Sequence, residues 1–180
     1  MMSFATSDWN YVDHSTRGPD IVSSLTERLD AICQDSNCVK RHVGAAILAL
    51  DGAILAAAAN GTPPGMRRCD SGGCARCAAS NRFAHGVGYD LCVCLHAEQA
   101  LLISALKYGI EVEGLLLATS YQPCFMCAAL IVASGFSGVL YSEPWRVPEE
   151  QAQLPGLRED YASLWKQLPN GCQPLASLVI

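Results

Sequence analysis

Basic charge is scarce in this 180-residue chain: 12 Lys and Arg stand against 17 Asp and Glu, giving a formal net charge of −5. That balance argues against a broad positive face for duplex nucleic acid. No basic, aromatic-lined groove for a single strand is visible either, so a polynucleotide partner is not expected. The tract Val39-Lys40-Arg41-His42 is still basic enough to hold one phosphate. Long apolar runs are also missing. No tract reaches the roughly 20 residues of a membrane helix, and no N-terminal stretch joins basic residues, an apolar run and a small-residue cleavage site. These absences lead to the expectation of a cytoplasmic protein without a membrane partner. Internal repeats and low-complexity segments are absent too. What is present is a 51% hydrophobic composition, enough for one buried core, and ten cysteines. Seven of them, Cys69, Cys74, Cys77, Cys92, Cys94, Cys124 and Cys127, crowd the stretch between residues 69 and 127. In a reducing compartment, clustered thiols ligate metal more often than they pair.

Residues 1–19 carry no periodicity and read as an N-terminal arm, leaving residues 20–180 as a single domain. Ile21, Val22, Leu25, Leu29 and Ile32 recur at helical spacing after Pro19 and Asp20. The segment VGAAILAL, a turn at Asp51-Gly52 and then AILAAAA predict a hairpin. From Asn60 to about residue 91 the chain is rich in Gly, Pro, Cys and Arg and has no apolar period. An insertion of that length needs something to order it. A helix through LHAEQALLISALKYG, a buried strand in EGLLLATS, a helix in PCFMCAALIVASG opened by its proline, and a strand in SGVLYS follow. An amphipathic helix in LPGLREDYASLWKQL and a closing strand in PLASLVI complete the pattern. A hairpin followed by alternating strands and helices implies a three-layer α/β/α domain around a five-stranded mixed sheet.

Two helix starts concentrate the chemistry. His96 and Glu98 open one helix as H-x-E, and Cys124 and Cys127 open the next as P-C-x-x-C, the paired signature of zinc deaminases. The cysteines are one turn apart, so both sulfurs can face one point. Helix N-termini favour anionic ligands. His96, Cys124 and Cys127 would supply three ligands to Zn²⁺ and leave one position for water, as at a catalytic centre. Glu98, not a ligand, is the expected general base and acid, moving a proton from water to the substrate ring and then to departing ammonia.

The segments NCVKRHVGAAIL, NGTPPGMRRC, GGCARC, CVCLHAEQALL, PCFMCAALIVASG and VLYS together resemble the deoxycytidylate (dCMP) deaminase family of the cytidine deaminase-like superfamily, from about Asn37 to Ser142. The resemblance implies the cytidine deaminase-like fold, conversion of dCMP to dUMP and ammonia, and a homo-oligomer between dimer and hexamer. It also implies that Lys40 and Arg41 approach the phosphate, and that Asn60 and Gly61 line the nucleotide pocket. Ser120, also expected to contact the substrate, stands at the position of a family-typical Thr, with Thr119 one residue further from the proline, and Ala100 stands where many family members have Asn. Those two departures keep open a same-fold deaminase of another amino-heterocycle, such as a modified pyrimidine, a pterin-like ring or an antibiotic precursor. A zinc-stabilised binding module is the third reading, and the intact Glu98 speaks against it. The resemblance further implies a second, structural zinc. Cys38, Cys69, Cys74 and Cys92 are the expected ligands, Cys77 is the alternative, and Cys94 is expected to be a bystander. Trp145 is expected to serve packing or an interface.

Overall fold

The computed structural model describes residues 21–79, 82, 87–88, 91–148 and 152–178. The expected arm at residues 1–19 lies outside them. Helix α1 (Ile21–Cys33) leads into the hairpin of β1 (Gly44–Leu48) and β2 (Ile54–Ala59). Its turn forms as expected: Gly52 takes φ 82°, and the Asp51 carboxylate accepts from the Ala53 amide at 3.0 Å. A 3-10 turn at Cys69–Ser71 and the single-turn helix α2 (Ala75–Ala78) are the described elements of the Cys-rich insertion. Then come α3 (Ala97–Tyr108), β3 (Leu116–Tyr121), α4 (Phe125–Ala133), β4 (Gly138–Glu143), α5 (Leu157–Trp165) and β5 (Cys172–Pro174).

The sheet runs β2-β1-β3-β4-β5, with β1 antiparallel to both neighbours and β3, β4 and β5 parallel. All five residues of β1 are buried because the strand is covered on both faces. Ala45 and Ile47 pack with Ala97, Leu101, Leu117, Ile131 and Val139 beneath α3 and α4. Ala46 and Leu48 pack with Leu25, Leu29, Ala118 and Leu140 beneath α1. Small residues let the layers close. A Cβ on Gly44 would lie 2.9 Å from Ile32, so α1 rests directly on the strand backbone. Leu101, Leu117 and Ile131 are fully enclosed, and truncating one to Ala would cost about 2–5 kcal/mol.

Two expected elements shift. The closing strand is Cys172–Pro174, and Leu175–Leu178 forms a 3-10 turn instead of continuing it. Gly171, at φ 64°, turns the chain so that Cys172 pairs with Val139, while Pro174 offers no N–H to prolong the ladder. Pro123 precedes the Cys124 N-cap of α4 instead of lying in its first turn. Among the described residues no helix is long and apolar enough to cross a membrane.

Candidate active site and metal centres

The N-termini of α3 and α4 meet at one end of the sheet. His96 is the N-cap of α3, in extended conformation, and its amide donates to Gln99 Oε1 at 2.9 Å. Cys124 is the N-cap of α4 and Cys127 lies in its first turn. Both cysteine Sγ atoms stand 3.4 Å from His96 Nδ1. A tetrahedral zinc with bonds of about 2.0–2.1 Å to nitrogen and 2.3 Å to sulfur needs an N···S separation of about 3.5–3.6 Å. The three side chains therefore fit the ion, with Nδ1 as the ligating nitrogen. Their protonation is divided: the hydrogen bond with Cys124, and then burial, raise the Cys127 thiol, while Cys124 is shifted the other way. The Cys124 thiol is brought down to about 4, chiefly by its hydrogen bond with Cys127 and further by His96. His96 is raised in turn by Cys124. Cys124 thus holds the thiolate form that a soft dication binds.

Glu98 is 4% exposed, and burial pushes its carboxyl up to about 7, against the opposing pull of His96. It lines a cavity of ≈ 100 Å³ together with His96 and Cys124. Lys40, Arg41, Asn60, Arg76, Tyr121, Gln122 and Trp145 also line this cavity. The Arg41 guanidinium lies 4.4 Å from the centroid of the Tyr121 ring, which holds it against the wall.

Not every expected pocket residue is there. Ser120 faces the other way: its hydroxyl accepts from the Gly44 amide at 3.1 Å and bonds the Cys33 thiol on the α1 side. Strand alternation sends Thr119 and Tyr121 to the site face and Ser120 to the opposite one. Thr119 in turn donates to the Tyr121 carbonyl at 3.0 Å. Gly61 is also absent from the wall. It exchanges backbone hydrogen bonds with Leu95, and a Cβ there would meet Asn37 at 2.7 Å, so it fastens the segment just before His96. Asn60 does line the cavity, but its amide mainly braces the loop bearing Lys40 and Arg41. Oδ1 accepts from Val43 N at 2.8 Å and Ser36 Oγ at 2.7 Å, and Nδ2 donates to Arg41 O at 2.8 Å. Ala100 is 1% exposed in the core against the sheet, so its departure from the family pattern alters packing and leaves the cavity wall untouched.

Sequence reasoning missed Arg76, Tyr121, Gln122 and Trp145 in the wall. Trp145, expected only to pack, reaches the cavity because its amide donates to Gln122 Oε1 at 3.3 Å while its ring packs 5.0 Å from that of Tyr161. Tyr161 is itself held by donating to Pro123 O at 2.6 Å. Gln122 closes the same corner, its amide donating to Glu143 O at 2.7 Å. Arg76 is 7% exposed and donates to Val87 O at 2.6 Å. Its place between Cys74 and Cys77, two candidate ligands, was the available signal.

The expected second quartet divides. Among the described residues the compact groups are Cys38, Cys69, Cys77 and Cys94, and Cys74, Cys77, Cys92 and Cys94, each with its sulfurs within 4.8 Å of one another. Cys38 and Cys69 fall in one, Cys74 and Cys92 in the other. Cys94, expected as a bystander, belongs to both, as does Cys77. The reason is the bridge at Leu95, which swings the Cys92–Cys94 segment across the loop carrying Cys38. Asn37 pins that loop, accepting from the Thr62 amide at 3.0 Å through Oδ1 and from the Asp70 amide at 3.0 Å through its carbonyl.

Residues 21–143 match the family model for the cytidine and deoxycytidylate deaminase zinc-binding region. The chain belongs to this family. It is 32% identical to the deoxycytidylate deaminase of Schizosaccharomyces pombe over 136 residues, covering 76% of this chain and 41% of that protein. Against the deoxycytidylate deaminase of Saccharomyces cerevisiae it is 37% identical over 120 residues, 66% of this chain and 36% of the other. The chain thus spans about two fifths of the length of these yeast relatives. The structure of the dCMP deaminase of cyanophage S-TIM5 in complex with dCMP and dUMP superposes with a TM-score of 0.64 at 25% identity, covering 88% of this chain and 99% of that one. The fold is the cytidine deaminase-like fold, and the matched segment is the zinc-binding region of the family.

Proposed function

We propose that the chain is a zinc-dependent hydrolase that converts dCMP to dUMP and ammonia. The observation that carries this reading is the convergence of Cys124 and Cys127 on His96 Nδ1 at 3.4 Å, with the buried Glu98 carboxyl in the same cavity. Zinc held by His96, Cys124 and Cys127 would supply Lewis-acid activation of water. Glu98 takes the proton that water loses as its oxygen adds to C4 of the pyrimidine. It passes that proton to N3, then carries the proton of the new C4 hydroxyl to the amino nitrogen, so that the C4–N bond breaks with loss of ammonia as the C4 carbonyl forms. A carboxyl balanced near neutrality can both accept and release a proton at working pH. Lys40 and Arg41 supply positive charge for the 5′-phosphate, with Arg41 steadied by Tyr121, and Asn60 holds their loop in place. The yeast relatives and the cyanophage complex support the choice of dCMP. Ala100 and Ser120, the two residues that pointed to another amino-heterocycle, lie away from the cavity, which favours the nucleotide.

We further assign residues 20–180 to one deaminase domain whose Cys-rich insertion, about residues 60–91, is ordered by structural zinc. A cytoplasmic location suits ten free thiols. A homo-oligomer is supported by the exposed Ile103, Leu106 and Leu130, which line an apolar groove between α3 and α4.

The deciding experiment follows the loss of cytosine absorbance with dCMP, CMP, deoxycytidine and cytosine. Turnover of dCMP far above the unphosphorylated compounds is expected. Turnover of deoxycytidine or cytosine alone would reject the assignment.

A further inference from the structure

Six cysteines of the insertion and its surroundings form a cluster of their own. Cys38, Cys69, Cys74, Cys77 and Cys94 are buried against one another, with Cys92 packed on them and, among the described residues, no aliphatic side chain in the cluster. Thiols alone are small, weakly stabilising core residues. Four distant points of the chain converge here, at Cys38, Cys69, the turn Cys74–Cys77 and the extended Cys92–Cys94. The turn at Gly72-Gly73 is shaped for this convergence. A Cβ on Gly73 would lie 1.8 Å from Arg67 O, so only glycine lets the chain double back between Cys69 and Cys74.

We propose that this cluster holds two zinc ions bridged by the thiolates of Cys77 and Cys94. The inference rests on the reading that the insertion binds structural zinc, and it changes the number of ions and the ligands. One ion takes Cys38 and Cys69, the other takes Cys74 and Cys92, and both share Cys77 and Cys94. Two closed tetrahedral sites require eight donor positions, and six sulfurs fill them only if two serve twice. The geometry supplies those two: Cys77 and Cys94 lie within 4.8 Å of every other member of both quartets. The spacing fits as well. Zinc–sulfur bonds of about 2.3 Å place the sulfurs of a tetrahedron about 3.8 Å apart. Cys74 and Cys92 are 3.6 Å apart and Cys77 and Cys92 are 3.8 Å apart. A single ion in either quartet would leave two of the six thiols without a metal. Loading is balanced: six thiols lose six protons to solvent as two dications bind, with no redox change. The cluster is left anionic, and the buried Arg76, between two of its ligands, is the neighbouring positive charge.

The test uses the full chain purified with its metals. Elemental analysis should find three zinc ions per chain, and His96→Ala should leave two. After replacement with ¹¹³Cd, nuclear magnetic resonance should show three signals, two of them split by coupling to each other through the shared sulfurs. A total of two metals, or cluster signals without mutual coupling, would overturn the bridged pair while leaving a structural ion in place. A total of one would remove the structural zinc reading too, without touching the deaminase reading, which the substrate assay judges separately. Bound iron with visible absorbance would overturn the assignment of zinc. Cys77→Ser and Cys94→Ser should each release more metal than Cys38→Ser, whereas equal loss from all three overturns the bridging roles. The cadmium spectrum of the unaltered protein separates bridged from unbridged ions even where a variant does not fold.

Discussion

Glu98 sits at the second position of α3, where the helix dipole favours a carboxylate and burial disfavours it. Burial prevails, and the result is a base near neutrality. Replacing Glu98 with Gln removes the proton carrier and leaves the ligands, so ammonia release should fall by about 10²–10⁴-fold while catalytic-site zinc stays at the wild-type level. The same carboxyl should be visible in stability once the metals are removed. Because its folded pKa is about 7 against an ordinary value of 4.5, the favourable contribution is complete below about pH 4.5 and is lost as pH rises through 7. Metal-free Glu98→Gln should therefore exceed metal-free wild type in stability at pH 8, by up to about 3 kcal/mol. Denaturant titrations should show that gap closing toward pH 4.5. At the far side of the cavity, Lys40→Ala or Arg41→Ala should raise KM for dCMP about tenfold or more, the loss of one charge-assisted contact, and leave kcat nearly unchanged. Deoxycytidine kinetics should not respond.

At the scale of elements, the loop Arg67–Gly73 closes too tightly to admit a side chain at Gly73. Gly73→Ala drives a methyl into Arg67 O, so the insertion should lose metal and the melting temperature should fall, both readable on one sample by elemental analysis and calorimetry. The regular elements were legible in the sequence because their patterns are local: the Asp51-Gly52 turn, the helical spacing of α1 and the two helix starts bearing His96 and Cys124. The four residues proposed to carry the chemistry, His96, Glu98, Cys124 and Cys127, came from fixed offsets at the starts of single helices. What stayed hidden depends on strand phase and chain crossing. A one-residue shift turned Ser120 away from the site, as the alternation of a strand demands. Cys94 could not be separated from a bystander without knowing that Leu95 pairs with Gly61. Trp145 and Arg76 reach the cavity through tertiary contacts that no spacing rule reports.

For the whole molecule, the apolar groove between α3 and α4 is open at its outer edge, where Leu106 is 85% exposed. Leu106→Glu should lower the mass measured by light scattering toward that of a single chain if this face joins copies. The sheet presents α1 on one face and the chemistry-bearing helix starts on the other, and the two departures from the family pattern, Ala100 and Ser120, both fall on packing surfaces beside it. One short stretch reaches across both groups of candidate ligands. Cys94 and His96 are two residues apart on the extended segment fastened by the Gly61–Leu95 bridge, so the sulfur cluster and the catalytic ligands share a single lever. In the language of thermodynamic linkage, whatever occupancy of one centre does to the affinity of the other must be returned by the same factor.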